Sequence, residues 1–193
     1  MDEQKRHINR LKAGASYFGC GGYLSRIGTL NRLALYNTLG FEREAAFTEC
    51  GVLENIYVNA DNRYFTSVNG VLYSKDGKML VKYPTGRTGK FDMSVSAYGS
   101  TIGIGGGAFA NAQKLTEIVF PSGLKVIDSE AFTDCTKLQT VKFTGNTPPV
   151  LMGSGIFDVN VTNFEMIIPN TSSSVVNAYL CAYNFGEYEP YIR

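Results

Sequence analysis

Apolar positions recur along the chain with one spacing, a Phe followed by apolar residues six, nine and eleven positions later. Complete copies are Phe47, Leu53, Ile56, Val58; Phe109, Leu115, Ile118, Phe120; and Phe132, Leu138, Val141, Phe143. Two partial copies flank them: Phe18, Leu24 and Ile27 lead to Thr29, and Phe157 is followed by Asn163, Met166 and Ile168. Thirteen of the fifteen positions are apolar, where a chain that is 44% apolar would place about six or seven by chance. Ala precedes Phe at Phe47, Phe109 and Phe132, and Cys50 and Cys135 each sit three residues after their Phe. These are related units, and fixed-period self-similarity is the mark of a repeat architecture.

Within a unit, Leu-x-x-Ile-x-Phe ends in alternation, so positions nine and eleven share one side of a short strand. Pro121-Ser122-Gly123 stops that strand, and Leu124, Val126 and Ile127 then return apolar side chains inward before the next Ala-Phe. One coil cannot cover its own apolar edge. Neighbouring coils must therefore stack and align their strands into a parallel sheet, as in a solenoid. Phe-to-Phe spacings of 29, 62, 23 and 25 set a basic period near 23 and require something extra between Phe47 and Phe109. The triplets Val71-Leu72-Tyr73 and Met79-Leu80-Val81 around Asp76-Gly77 predict a hairpin within residues 64–84, with a second turn at Asn69-Gly70. A degenerate copy from Phe91 to Gly107, with Phe91 and Met93 in its strand, fills the rest.

The succession of Ala-Phe, a Cys three later, Leu-x-x-Ile-x-x-Pro and an Ile before the next Ala-Phe resembles the BspA-like leucine-rich repeats, with Ala108 to Phe132 a close example. Asn62-Arg63-Tyr64-Phe65, Asn69 to Tyr73 and Tyr83-Pro84 resemble the insert that interrupts such arrays. Pro148-Pro149, Ile168-Pro169 and a helix-like Val175 to Tyr183 resemble the closing unit. The resemblance runs from Phe18 to Arg193 and departs from the pattern at Thr29, Asn163 and Gly99 to Gly107. It implies an α/β-type repeat solenoid with a short parallel sheet on one face, an inserted β-hairpin (64–84) and a C-terminal closing segment (145–193). Residues 15–193 would form one domain behind an unpatterned charged tail, 1–14. It further implies a bacterial cell-surface or secreted protein that adheres to a host matrix or cell-surface protein.

Composition narrows the function classes. A chain of 193 residues, 18% charged, with net charge +1, is too apolar for disorder and lacks the basic excess that nucleic-acid binding needs. The charge-free stretches Met93 to Gln113 and Met166 to Phe185 are too rich in Gly, Ser and Asn for membrane spans, so no membrane insertion is expected. No apolar run follows Lys5, Arg6, Arg10 and Lys12, so the given chain shows no export signal and the compartment stays open. Cys20, Cys50, Cys135 and Cys181 form no Cys-x-x-Cys pair, and the one histidine, His7, lies in the charged tail. The cysteines are therefore expected as buried free thiols, with no metal and no cofactor.

Candidate chemistry is sparse. The run Gly103 to Gly107 lacks the Gly-Lys-Ser/Thr ending of a phosphate-cradling loop. Asp128, Glu130 and Asp134 are the one acidic group a polysaccharide-acting enzyme could use, yet the other copies carry no acids at those positions, and a non-enzyme is expected. Surface remains. Positions eight and ten after each Phe face outward and form rows: Arg26 and Gly28, Asn55 and Tyr57, Glu117 and Val119, Thr140 and Lys142, Glu165 and Ile167. Asn55, Tyr57, Glu117, Val119, Thr140 and Lys142 are thus the candidate partner-binding residues, with Tyr57 as anchor. The expected partner is a protein held by a monomeric chain; the alternative is a glycan stacked on Tyr57, Tyr73 and Tyr83.

Overall fold

The computed structural model describes residues 32–35, 51–159, 161–169 and 172–193. The tail 1–14, the partial copy from Phe18 to Thr29, outward positions Arg26 and Gly28, Phe47, Cys20 and Cys50 lie outside the described residues. Among the described residues twelve strands follow in chain order: β1 (Arg32–Leu35), β2 (Asn55–Val58), β3 (Phe65–Val68), β4 (Val71–Ser74), β5 (Met79–Lys82), β6 (Gly89–Asp92), β7 (Gly103–Ile104), β8 (Leu115–Phe120), β9 (Val126–Ile127), β10 (Thr140–Phe143), β11 (Val150–Leu151) and β12 (Glu165–Ile167). They end in a helix, α1 (Ser173–Leu180), and a 3-10 turn, Gly186–Tyr191.

From β5 onward the chain alternates between two parallel arrays, ordered β6-β8-β10-β12 in one and β5-β7-β9-β11 in the other. The parallel sheet expected on one face is present as the first array. The second array was foreshadowed only by the inward return of Val126 and Ile127, because its strands β7, β9 and β11 are two residues long and show no alternation of their own. The expected hairpin is formed by β4 and β5, antiparallel, with Gly77 at φ 71° in the Asp76-Gly77 turn. β3 pairs antiparallel with β4 through the Asn69-Gly70 turn, where both residues have positive φ. A left-handed pair of this kind matches the twist of a tight hairpin. Helix is scarce among the described residues, so turns at 105–112 and 130–134 close the coils instead of helices.

Inward rows meet between the arrays. Phe91, Ile118, Val141 and Met166 are in register on one side and Leu80, Ile104, Ile127 and Leu151 on the other, all buried. Each such side chain contributes about 1.5–3 kcal/mol by leaving water. The repeat's Phe residues stack along the solenoid: Tyr83 to Phe109 at 4.9 Å between ring centroids, Phe109 to Phe132 at 4.6 Å, Phe132 to Phe157 at 4.9 Å and Phe157 to Tyr188 at 5.6 Å. Backbone bonds from Tyr83 N to Ala108 O and from Phe109 N to Ala131 O, both 2.8 Å, hold the turns in step. Tyr83 therefore fills the Phe position of the degenerate copy. The spacing search misses it because the ring is Tyr and its coil is one residue short, with a register shift at Gly89/Lys90.

The closing segment covers the last coil. α1 starts earlier than the expected Val175 because Ser172 serves as N-cap, its hydroxyl accepting from Val175 N, and it ends before the expected Tyr183 at Leu180. Tyr179 Oη donates to Gly145 O at 2.6 Å and Asn184 Nδ2 to Leu151 O at 3.0 Å. Arg193 N donates to Met166 O and Ile168 N to Arg193 O, so residues 192 and 193 pair with the edge of β12.

Candidate functional site

Alternation turns outward the residues on either side of the inward row Phe91, Ile118, Val141 and Met166, and the register lines them up. One row reads Lys90, Glu117, Thr140, Glu165; the next reads Asp92, Val119, Lys142, Ile167. Strands in a sheet lie about 4.8 Å apart, so each row spans roughly 14 Å. Glu117, Val119, Thr140 and Lys142 are thus brought together as expected. Lys90 and Asp92 join them and were missed, although placing Phe91 and Met93 inward implies that their neighbours face outward.

The rows are organised by charge. Lys90 Nζ lies 3.0 Å from Glu117 Oε1 and 3.5 Å from Asp92 Oδ2. The Glu117 hydrogen bond raises the Lys90 pKa, with Asp92 adding to it. The Asp92 carboxyl is lowered, first by the Ser94 hydroxyl donating at 2.6 Å and then by the Ser94 amide and Lys90. Thr140 Oγ1 donates to Glu165 Oε1 at 3.2 Å. Lys142 stays exposed between Val119 and Ile167.

Three expectations about the face require correction. Val119 is only 3% exposed, because a short β-branched side chain on a central strand is overtopped by Asp92 and Lys142 on either side. Asn55 and Tyr57 do not extend these rows. Their strand β2 pairs with β1 and packs against β3 and β4, apart from β6. The cause is the hairpin insert: its Gly70 O accepts from Ile56 N at 2.8 Å and Ser67 Oγ donates to Ile56 O, so the insert's turn occupies the edge of β2. Asn55 is held in that joint, its Oδ1 accepting from Arg87 Nη2 at 3.1 Å while Arg87 also donates to Glu54 O and Asn69 O. Tyr57 is 41% exposed on its own separate sheet.

The alternative chemistries fare differently. Tyr73 and Tyr83 are each 1% exposed and offer no ring to a sugar, since both pack in the core. Asp128 faces partly to solvent and accepts from Ser129 N, while Glu130 and Asp134 sit exposed in turns with positive φ. Among the described residues no group of three His, Cys, Asp or Glu is placed to hold a metal, and no helix is long and apolar enough to cross a membrane. Cys135 is the buried free thiol expected, its Sγ 3.2 Å from Phe109 O; Cys181 is instead exposed, because it caps α1 on the solvent side.

Residues 93–184 match the family described as BspA type leucine rich repeat region, in six copies. No curated protein matches the chain. Three solved structures are similar to it. A leucine-rich repeat protein from Eubacterium ventriosum has 21% identity and a TM-score of 0.46, over 72% of this chain and 41% of that one. The pneumococcal vaccine antigen PcpA has 19% identity and a TM-score of 0.40, over 84% and 54%. A leucine rich cell surface protein from Faecalibacterium prausnitzii has 18% identity and a TM-score of 0.39, over 77% and 50%. The chain spans about half the length of these structures. The repeat spacing and the stacked coils agree with that match, and residues 93–184 form a leucine-rich-repeat solenoid similar to the BspA type.

Proposed function

We propose that this chain is a non-catalytic binding module of a bacterial surface or secreted leucine-rich-repeat protein, with residues 15–193 as one domain, and that it adheres to a host matrix or cell-surface protein. The observation that carries this reading is the pair of register-locked rows Lys90-Glu117-Thr140-Glu165 and Asp92-Val119-Lys142-Ile167 on four parallel strands. Rigid strands hold these side chains without loop entropy, and mixed charge beside Ile167 suits an extended protein segment laid across the strands. Glu117, Thr140 and Lys142 are the contact residues of this proposal, joined by Lys90, Asp92 and Glu165; Asn55 and Tyr57 stand outside it. The glycan reading retains only Tyr57 of its three rings.

The test is binding of the chain to a panel of extracellular-matrix and cell-surface proteins, alongside Glu117→Arg and Lys142→Glu variants, with brief protease shaving of intact source cells. The expected result is a saturable partner whose affinity falls at least tenfold in both variants, a change of about 1.4 kcal/mol or more, and recovery of the chain's peptides without lysis. A partner bound equally by wild type and both variants would sink the assignment of this face. Peptides recovered only after lysis would sink the surface role.

A further inference from the structure

The second array has an outer face that the binding proposal does not use. On β5, β7, β9 and β11 the residues in register are Met79, Gly103, Val126 and Val150. The residues after them, Leu80, Ile104, Ile127 and Leu151, are fully buried, so alternation points the first set outward. One step further, Val81, Gly105, Asp128 and Met152 face outward again, aligned by the bonds Gly105 N to Leu80 O, Asp128 N to Ile104 O and Met152 N to Ile127 O. Seven of these eight positions carry an apolar side chain or only the hydrogen of glycine, and Asp128 is the one charge. Val150 and Met152 are 51% and 55% exposed. A β-carbon at Gly103 would collide with Met79 Sδ and lie 3.1 Å from Val126 Cγ1, so the Met79 thioether lies flat across the strip.

The strip's surroundings say how it can be covered. Its β11 edge is blunted, since Asn184 Nδ2 donates to Leu151 O at 3.0 Å. At the other end β2 already sits on β3 and β4: Ser67 faces Leu72 across the strands and donates to Ile56 O. These contacts hinder pairing at either end, and among the described residues Val150 and Met152 leave the flat face open to solvent. Its charge is self-complementary. Lys125 stands exposed just before Val126, at the start of the strands, and Asp128 stands at their end. A two-fold axis between two such faces, perpendicular to the strands, reverses one copy and sets each Lys125 over the other copy's Asp128.

We infer that this face is a self-association surface whose occupant is a second copy of the same chain, packed face to face through Met79, Val126, Val150 and Met152. Four strands about 4.8 Å apart and three residues deep cover on the order of 200 Å², well below the roughly 800 Å² per partner of a stable interface. The dimer is therefore weak and concentration-dependent, forming in the range of about 0.1 to 1 mM for free chains and favoured where many copies are held close together. The monomer expected from the sequence is the dilute state.

Sedimentation velocity on the full chain, from about 10 μM to 1 mM, tests this. The expected result is a monomer–dimer equilibrium weakened at least tenfold by Val150→Glu and by either Lys125→Glu or Asp128→Lys, and recovered when the two charge reversals are combined. Lys142→Glu, on the other array, leaves it unchanged. Val150 is exposed, so its variant keeps the wild-type melting temperature and loss of dimer is not loss of fold. A chain that stays monomeric at 1 mM overturns the inference. So does a dimer indifferent to Val150→Glu, a charge swap that fails to restore association, or a monomer whose strip binds vesicles or another protein instead.

Discussion

Replacing Phe132 by Ala tests whether the aromatic stack is what binds coil to coil. The ring is 1% exposed and lies 4.6 Å from Phe109, at an interplanar angle of 9°, and 4.9 Å from Phe157, with Phe120 edge-on at 6.0 Å. Truncation removes the ring's apolar burial and leaves a cavity between two stacked turns, which for Phe to Ala costs about 3–5 kcal/mol. Each aromatic pair adds roughly 0.5–1.5 kcal/mol beyond area, so the upper end, about 5 kcal/mol, is expected. At about 2–4 °C per kcal/mol for a chain of this size, the melting temperature drops by roughly 10 °C or more. Phe132→Leu keeps most of the apolar volume and costs about 1–2 kcal/mol. Urea titration followed by circular dichroism measures both. In a nearest-neighbour solenoid the double variant of Phe109 and Phe132 shows a coupling above about 0.5 kcal/mol, whereas Phe109 and Phe157, two coils apart, add independently. A loss below about 1 kcal/mol for Phe132→Ala, or equal coupling for both pairs, refutes the reasoning.

Two further outcomes follow from burial. Desolvation raises the pKa of Tyr73, Tyr83, Tyr179 and Tyr188, with Tyr83 and Tyr179 pushed up to about 12, so the fold holds these phenols protonated. A group whose folded pKa lies above its unfolded value near 10 favours the fold below that value and ceases to do so as pH climbs through the folded pKa. Thermal stability is therefore insensitive to these rings below pH 10 and falls between about 10 and 12, with their tyrosinate absorbance appearing only on unfolding; early ionisation in the folded state would contradict this. Burial likewise pushes the Cys135 thiol up to about 12, while Cys181 is exposed. Iodoacetamide at pH 8 followed by peptide mapping labels Cys181 in the native chain and Cys135 only in denaturant, since the thiolate is the nucleophile; comparable native rates at the two sites would be the contrary result.

Much of the architecture is legible in the amino-acid order because a coil is short and its constraints are local. The interval of six, nine and eleven residues after Phe fixes which side chains of β8, β10 and β12 point inward, and the neighbouring residues then have to point out. Glu117, Thr140 and Lys142 were found that way. Lys90 and Asp92 were within reach by the same alternation, once Phe91 was placed inward, but the one-residue deletion at Gly89/Lys90 hid their copy from a fixed spacing. Asn55 was misplaced for another reason: the spacing counts residues along the chain and carries no information on which strand lies beside which.

The sequence by itself determined the solenoid, the inward rows, the inserted hairpin and the closing segment, since each follows from apolar periodicity or from turn residues with a local steric preference. The tertiary structure alone decided neighbourhood. It set the Asn69-Gly70 turn against Ile56 so that β2 leaves the main array, sank Val119 between Asp92 and Lys142, put Tyr83 into the Phe stack, and laid Met79 across Gly103. These outcomes depend on distances between residues far apart in the chain. Such distances are fixed only when the coils close on one another, because the contacts that set them do not exist until the stack has formed.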